Sequence, residues 1–226
     1  MAFVISIIIP VLNEAASIVE VLHSLSALRG RGHEVIVVDG GSQDDTMALS
    51  RPLADRVVQA PRGRALQMNA GAAAAQGEIL LFLHADSYLP ECADQLIIAA
   101  VGAKTKAWGR FDVRLSGGHY MFRIIETMMN WRSRLTGIAT GDQGVFVTRR
   151  LFEAAGGFPA IPLMEDIAFS RALKKIARPI CLKDRLRTSS RRWEQRGIWR
   201  TILLMWRMRL AYALGADPAV LAKAYR

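Results

Sequence analysis

The stretch LLFLHADS, residues 80–87, ends an apolar run on a histidine and an aspartate. Two apart in an extended segment, His84 and Asp86 point to the same side and could share one cation. Mg²⁺ and Mn²⁺ favour oxygen ligands and keep waters or phosphate oxygens, so Asp86 plus a diphosphate would suffice, and Mn²⁺ better tolerates His84 as a further ligand. Other polar groups also stand at the ends of apolar runs. Asp39 is followed by Gly40, Gly41 and Ser42, where a ligand can approach the backbone closely. Its carboxylate could accept hydrogen bonds from a base or ribose, or cap the next helix, a task for which Asp44 and Asp45 are better placed. Asn13 and Glu14 suit either a ligand or a helix N-terminus.

Arg64 could neutralise a diphosphate beside a helix start, or stand solvated. Glu165 and Asp166 precede a helical run, as capping carboxylates or as a general base that removes a proton from an attacking hydroxyl. The turn TGDQG, residues 140–144, offers Gly141, Asp142 and Gln143 to a substrate. SSRRW, residues 189–193, joins Arg191 and Arg192, a pair suited to phosphate, with Trp193, a platform for a ring; a surface patch is the plainer reading.

The elements that would position these groups follow from periodicity. VISIIIPV, HEVIVVDGGS, RVVQA and EILLFLHAD read as four strands, separated by helical segments in NEAASIVEVLHSL, DDTMALS and RALQMNAGAAAAQ. Such alternation predicts an α/β fold with a mostly parallel central sheet flanked by helices. Ligands bind outside the carboxyl ends of strands in such sheets, where Pro10–Glu14, Asp39–Ser42 and His84–Asp86 fall. Beyond residue 105, AWGRFDVRLS alternates like a half-exposed strand, HYMFRIIETMMNWRSRL is helical, ARPICLKDRLRTS gives short strands, and residues 194–226 form a basic amphipathic helical tail. One domain is expected, with a ligand-binding half over about 1–105 and a second half over about 106–193.

Of 226 residues, 51% are hydrophobic, enough for a substantial core. No apolar run reaches the roughly 18 residues of a membrane span, and no secretory leader is evident. Cys92 and Cys181 have no metal-ligand spacing and read as buried thiols. Charge is uneven: residues 1–170 hold 15 Lys/Arg and 17 Asp/Glu, whereas residues 171–226 hold 15 and 3. The excess points to a local anionic partner, a membrane surface met through residues 191–214 or a phosphorylated substrate. Nucleic acid is not expected, because the aromatics sit among aliphatics. A cytoplasmic chain, peripheral on the inner face of the cell membrane, is the expectation.

In order along the chain, IIIPVLNE, VVDGGSQDDT, GRALQMNAG, LLFLHADS, TGDQGVF and MED resemble the nucleotide-sugar-dependent glycosyltransferases of family 2, from about Ile5 to Trp193. The resemblance implies a GT-A (Rossmann-like) fold and inverting transfer of a hexose from a nucleoside-diphosphate sugar, UDP being favoured, to a hydroxyl, on a lipid or lipid phosphate in one version. It implies a nucleotide-sugar pocket of Pro10, Asn13, Glu14, Asp39, Arg64 and Asp86. Asp86 would bind a divalent cation at the last position of the family's D-x-D motif, where His84 replaces the usual first aspartate. Asp166 would be the general base. Gly141, Asp142, Gln143, Glu165, Arg192 and Trp193 would meet the acceptor. Within the family the chain resembles a small-chain subgroup without transmembrane segments. SSRRW departs from the Q-x-x-R-W of processive members at Ser189, so polymer synthesis is not implied. The alternatives are a non-catalytic membrane-surface or nucleotide-binding module, or a nucleotidyltransferase, whose Gly-rich first loop PVLNEAAS lacks.

Overall fold

The computed structural model describes residues 3–225. The first half alternates as the periodicity predicts: β1 (Ile5–Val11), α1 (Ile18–Ser24), α2 (Ser26–Gly30), β2 (Glu34–Asp39), α3 (Thr46–Ser50), β3 (Arg56–Gln59), α4 (Arg64–Ala74) and β4 (Ile79–Phe82). Next come β5 (Ser87–Tyr88), α5 (Ala93–Val101), β6 (Trp108–Leu115), α6 (Tyr120–Thr136), β7 (Val145–Thr148) and α7 (Arg149–Ala154). The chain continues through α8 (Glu165–Lys174), β8 (Ile180–Thr188), α9 (Arg191–Arg196), α10 (Ile198–Ala213) and α11 (Pro218–Tyr225). The strands join in one sheet of order β3-β2-β1-β4-β7-β6-β8-β5. β1 to β4 run parallel, as do β6 and β8, while β7 is antiparallel to both its neighbours.

β1 shows why its sequence is an unbroken apolar run. Ile5, Ile7, Ile9 and Val11 pack with α1, α2 and α5, whereas Ile8 packs with α4, α7 and α8 on the opposite face. Both faces are dry, as in parallel sheets covered by helices. Each such side chain contributes about 1.5–3 kcal/mol on burial. Helix α4 lies unusually close: a Cβ at Gly71 would stand 2.4 Å from Ile8 Cγ2 and 2.9 Å from Val38 Cγ2. The missing side chain lets α4 settle on β1 and β2, with Arg64 at its first turn beside their carboxyl ends.

The AWGRFDVRLS strand is buried over most of its length rather than half-exposed. β7 pairs only with Trp108 and Gly109, so the rest of that edge of β6 needs other partners. Helix α6 supplies them through side chains. Asn130 accepts from Val113 N (2.8 Å) and donates to Val113 O (3.1 Å), and Glu126 accepts from Leu115 N (2.6 Å). Buried backbone groups must be paired, and here a helix does the work of a strand.

Three further expectations are corrected. ARPICLKDRLRTS forms one nine-residue strand, β8, because β6 pairs with both its ends, at Ile180–Cys181 and Arg185–Thr188, across a bulge. The basic tail is not one helix: Gly197, at φ +82°, separates α9 from α10, which puts Arg196 off the face carrying Arg200 and Arg207. Cys92 is exposed in the turn before α5, and Cys181 is only partly covered where β8 begins. Asn130→Ala should lower stability by about 2–4 kcal/mol, since it strands two buried backbone groups of Val113; a urea denaturation midpoint checks this.

Candidate active site

The carboxyl ends of β1 and β4 and the loop before α8 open into one cavity of about 640 Å³. Its wall carries six arginines (Arg62, Arg64, Arg191, Arg192, Arg196 and Arg209) and five carboxylates (Glu14, Asp86, Asp142, Glu165 and Asp166). That mixture suits an anion and a cation bound together better than either alone.

The loops after β1 and β2 knit into a frame. Asn13, in the left-handed region at φ +54°, accepts from Gln43 N (2.8 Å), and its own N–H donates to Ser42 Oγ (2.9 Å). Asp39 is fully buried, and its carboxylate accepts from Gly41 N and Ser42 N. Neither Asn13 nor Asp39 lines the cavity; both hold the loops that do, through Pro10 and Glu14. Gln67, which carries no signal of a site in its sequence context, ties the frame together by donating to Val11 O (2.8 Å) and Val38 O (2.9 Å).

Asp86 and SSRRW are brought side by side by β5, a two-residue strand. Ser87 pairs with Thr188, and Ser189 N donates to Asp86 O (3.2 Å). Burial pushes the Asp86 carboxyl above its ordinary range, against the pull of Arg191. His84 is half-buried at the cavity wall, and desolvation, then Arg64 and Arg192, pull its imidazole down to about 3. It is therefore neutral, the state a metal ligand requires. Its Nε2 packs against Gly141, where a Cβ would come within 2.3 Å, and has no hydrogen-bond partner among the described residues. No group of three or more His, Cys, Asp or Glu side chains is arranged for a metal among those residues. The donors present fit a cation that takes a protein carboxylate and completes its shell from a diphosphate.

Opposite stands α8. Met164 caps it at φ +67°, a conformation uncommon for a non-glycine residue, and the chain turns Glu165 and Asp166 into the cavity. Asp166 accepts from Gly141 N (3.0 Å) and Ile167 N (2.7 Å), so backbone fixes both its oxygens. Glu165 is buried; burial raises its carboxyl, and Arg64 at 3.3 Å opposes that shift. Gln143 is turned away, its Oε1 accepting from Thr140 N (3.2 Å) within the buried turn, while Gly141 and Asp142 face the cavity.

Trp193 lines the cavity and packs beside Leu115, Phe122 and Ile198. Arg192 and Arg196 both lie over the Tyr225 ring, 5.2 and 6.0 Å from its centre. Tyr225, Arg196, Arg209 and Arg62 also belong to the lining and were not among the expected residues. Just behind, Arg132 of α6 has two buried nitrogens without partners, and burial and Arg209 draw it down to about 10. Gly141→Ala should lower turnover at least roughly tenfold and cost about 1–3 kcal/mol of stability, because the methyl drives the turn and the His84 ring apart. Paired rate and melting measurements check this; unchanged turnover would show that the Gly141 amide does not position Asp166.

A family model described as "Glycosyl transferase family 2" matches residues 6–153. A PGL/p-HBAD biosynthesis glycosyltransferase of Mycobacterium tuberculosis, with its counterpart in Mycobacterium bovis, is 36% identical over 102 residues. That match takes in 42% of this chain and 40% of the relative, so it spans about two fifths of those curated relatives. TarS from S. aureus, solved in complex with UDP, superposes with a TM-score of 0.68 at 21% identity, covering 82% of this chain and 60% of that one. The mannosyltransferase PcManGT from Pyrobaculum calidifontis, in complex with GDP-Man and Mn²⁺, gives 0.63 at 24% identity over 93% and 61%. The M. tuberculosis glucosyl-3-phosphoglycerate synthase, with Mn²⁺, UDP and glucosyl-3-phosphoglycerate, gives 0.57 at 22% identity over 82% and 71%.

Proposed function

The chain belongs to glycosyl transferase family 2 and has the GT-A fold, and on that premise we propose that it moves a hexose from UDP to an acceptor hydroxyl with inversion. The observation that carries the reading is Asp166, both oxygens fixed by backbone amides, facing a cavity that also holds Asp86, Arg64 and Arg191. UDP is favoured over GDP because two of the three nucleotide-bearing structural neighbours above carry it.

In the proposed reaction the acceptor oxygen forms its bond to the anomeric carbon as the bond to the diphosphate breaks on the opposite side. One in-line displacement inverts that carbon. Asp166 takes the acceptor proton. Arg64, Arg191 and Arg192 receive the leaving diphosphate, and Pro10 and Glu14, held by the Asn13 and Asp39 frame, bound the nucleoside end. Asp86, with His84 as second donor, would hold a divalent cation, Mn²⁺ or Mg²⁺, which supplies charge neutralisation at the diphosphate. Gly141, Asp142, Glu165 and Trp193 line the acceptor side, and the arginines around it favour an acceptor bearing phosphate, as on a lipid.

Calorimetric titration of UDP and GDP, with Mn²⁺ or chelator, tests the donor site: wild type should bind UDP in a metal-dependent way and Asp86→Ala should lose that dependence. Failure to bind either nucleotide would sink the reading. Asp166→Asn should keep UDP binding while turnover drops by about 10²–10⁴-fold.

A further inference from the structure

Helix α6 has an outer face that no other helix or strand covers among the described residues. Tyr120, Ile124, Met128, Trp131 and Leu135 recur at helical spacing and are 47–74% exposed. Helix α10 repeats the arrangement with Trp199, Leu203, Trp206, Leu210 and Leu214, 62–80% exposed. The two helices meet in a small cluster in which Phe122, Ile125 and Met129 lie beside Ile198 and Ile202.

The positions on each helix show how the two stripes relate. At about 100° per residue, the α6 stripe lies opposite the buried Phe122, Glu126 and Ser133 and roughly a quarter turn from Ile125 and Arg132, which face α10. The α10 stripe stands opposite the buried Thr201 and Met208 and roughly a quarter turn from Ile198 and Ile202. Ile125 lies beside Ile198 near the start of both helices, and Arg132 feels the charge of Arg209 further along both, so the helices run in the same direction. Both stripes then face the same way and form one apolar platform. Apolar patches of this extent on a protein surface mark an interaction site.

The charges select the partner. Of the six arginines in residues 119–136 and 198–214, Arg123 and Arg134 pair with Glu126 and Asp112, and Arg132 and Arg209 are turned inward. That leaves Arg200 and Arg207 as the charge beside the stripes, with no carboxylate exposed there. Arg200 and Arg207 are exposed, flank the α10 stripe, and make no hydrogen bond or ion pair among the described residues. A second copy docked through the same face would set arginines against arginines. Anionic lipid matches them, and tryptophans among aliphatics beside arginines are the composition of helices that lie in a bilayer interface.

We propose that α6 and α10 together form a docking face for an anionic membrane surface. The face lies beyond the glycosyl-transfer reading and extends the contact expected of residues 191–214 to a second helix. Met205 and Arg209, on the inner side of α10, line the cavity, so docking brings the cavity to the level of lipid headgroups.

The test is flotation of the full chain with vesicles of phosphatidylcholine alone or mixed with phosphatidylglycerol, in low and high salt. Wild type should float with the anionic vesicles only. A Trp131→Ser, Trp199→Ser, Trp206→Ser variant should lose binding by roughly tenfold or more, and an Arg200→Gln, Arg207→Gln variant should bind more weakly with less salt dependence. Circular dichroism melting and the UDP titration, both independent of lipid, show whether each variant is folded. Wild type that fails to float, or a folded tryptophan variant that floats as wild type does, overturns the proposal. So does a wild-type dimer in light scattering that the tryptophan changes dissolve, because the face would then join two copies.

Discussion

Both faces of the central strands are dry, and that constraint decides where chemistry can be placed. Side chains from Ile5 to Val11 and from Val35 to Val38 serve two apolar layers at once, so uncompensated polar groups there would face only hydrocarbon. Ser6 is tolerated because Glu34 accepts its hydroxyl at 2.6 Å. Elsewhere the polar residues begin where the strands stop. The loops after β1 and β2 then hold one another, with α4 tying them together: Asn13 to Gln43, Gln67 to Val11 and Val38, and Gly40 N to Val11 O. A pocket built this way is rigid before a ligand arrives, which suits positioning catalysis.

Across the cavity a second constraint operates. Glu165 is buried, and a buried carboxylate keeps its charge only beside a partner. Arg64 is that partner, at 3.3 Å, and it comes from the helix that Gly71 allows to lie close on β1 and β2. The wall formed by residues 63–67 is thus linked to the wall formed by residues 163–167. In the reading advanced above, Arg64 also meets the diphosphate, so donor entry and the charge state of Glu165 are coupled.

Much of this was legible in the sequence because it follows from local rules. Unbroken apolar runs that stop at Asp39 and at His84 announce buried parallel strands and the edge where their ligands gather. The Glu165–Asp166 pair before a helical run and the glycine-bounded TGDQG turn were also visible. What escaped depends on distant partners. β5 is two residues long and exists only because Thr188 lies opposite Ser87; nothing in residues 87–88 signals it. Gln67 looks like an ordinary helical glutamine until two strand ends present carbonyls to it. Asp39 and Gln143 are polar residues at the right edge, yet their side chains satisfy backbone groups of their own turns instead of facing the cavity. The break at Gly197 was foreseeable, since a glycine inside a helical pattern weakens it. The strong amphipathic signal on either side hid it.

The pairing of Ser87 with Thr188 has a consequence in time. It closes a loop of about a hundred residues, and loop closure carries an entropic cost near (3/2)RT ln n, roughly 4 kcal/mol at that length. Such a contact forms only after the intervening sheet has organised, and during synthesis only after residue 188 has left the ribosome. The same pairing sets Asp86 beside the arginines of α9. A growing chain therefore packs the layers around β1 to β4 while Asp86 and the arginines of α9 are still apart, and acquires the assembled site among its last structural events.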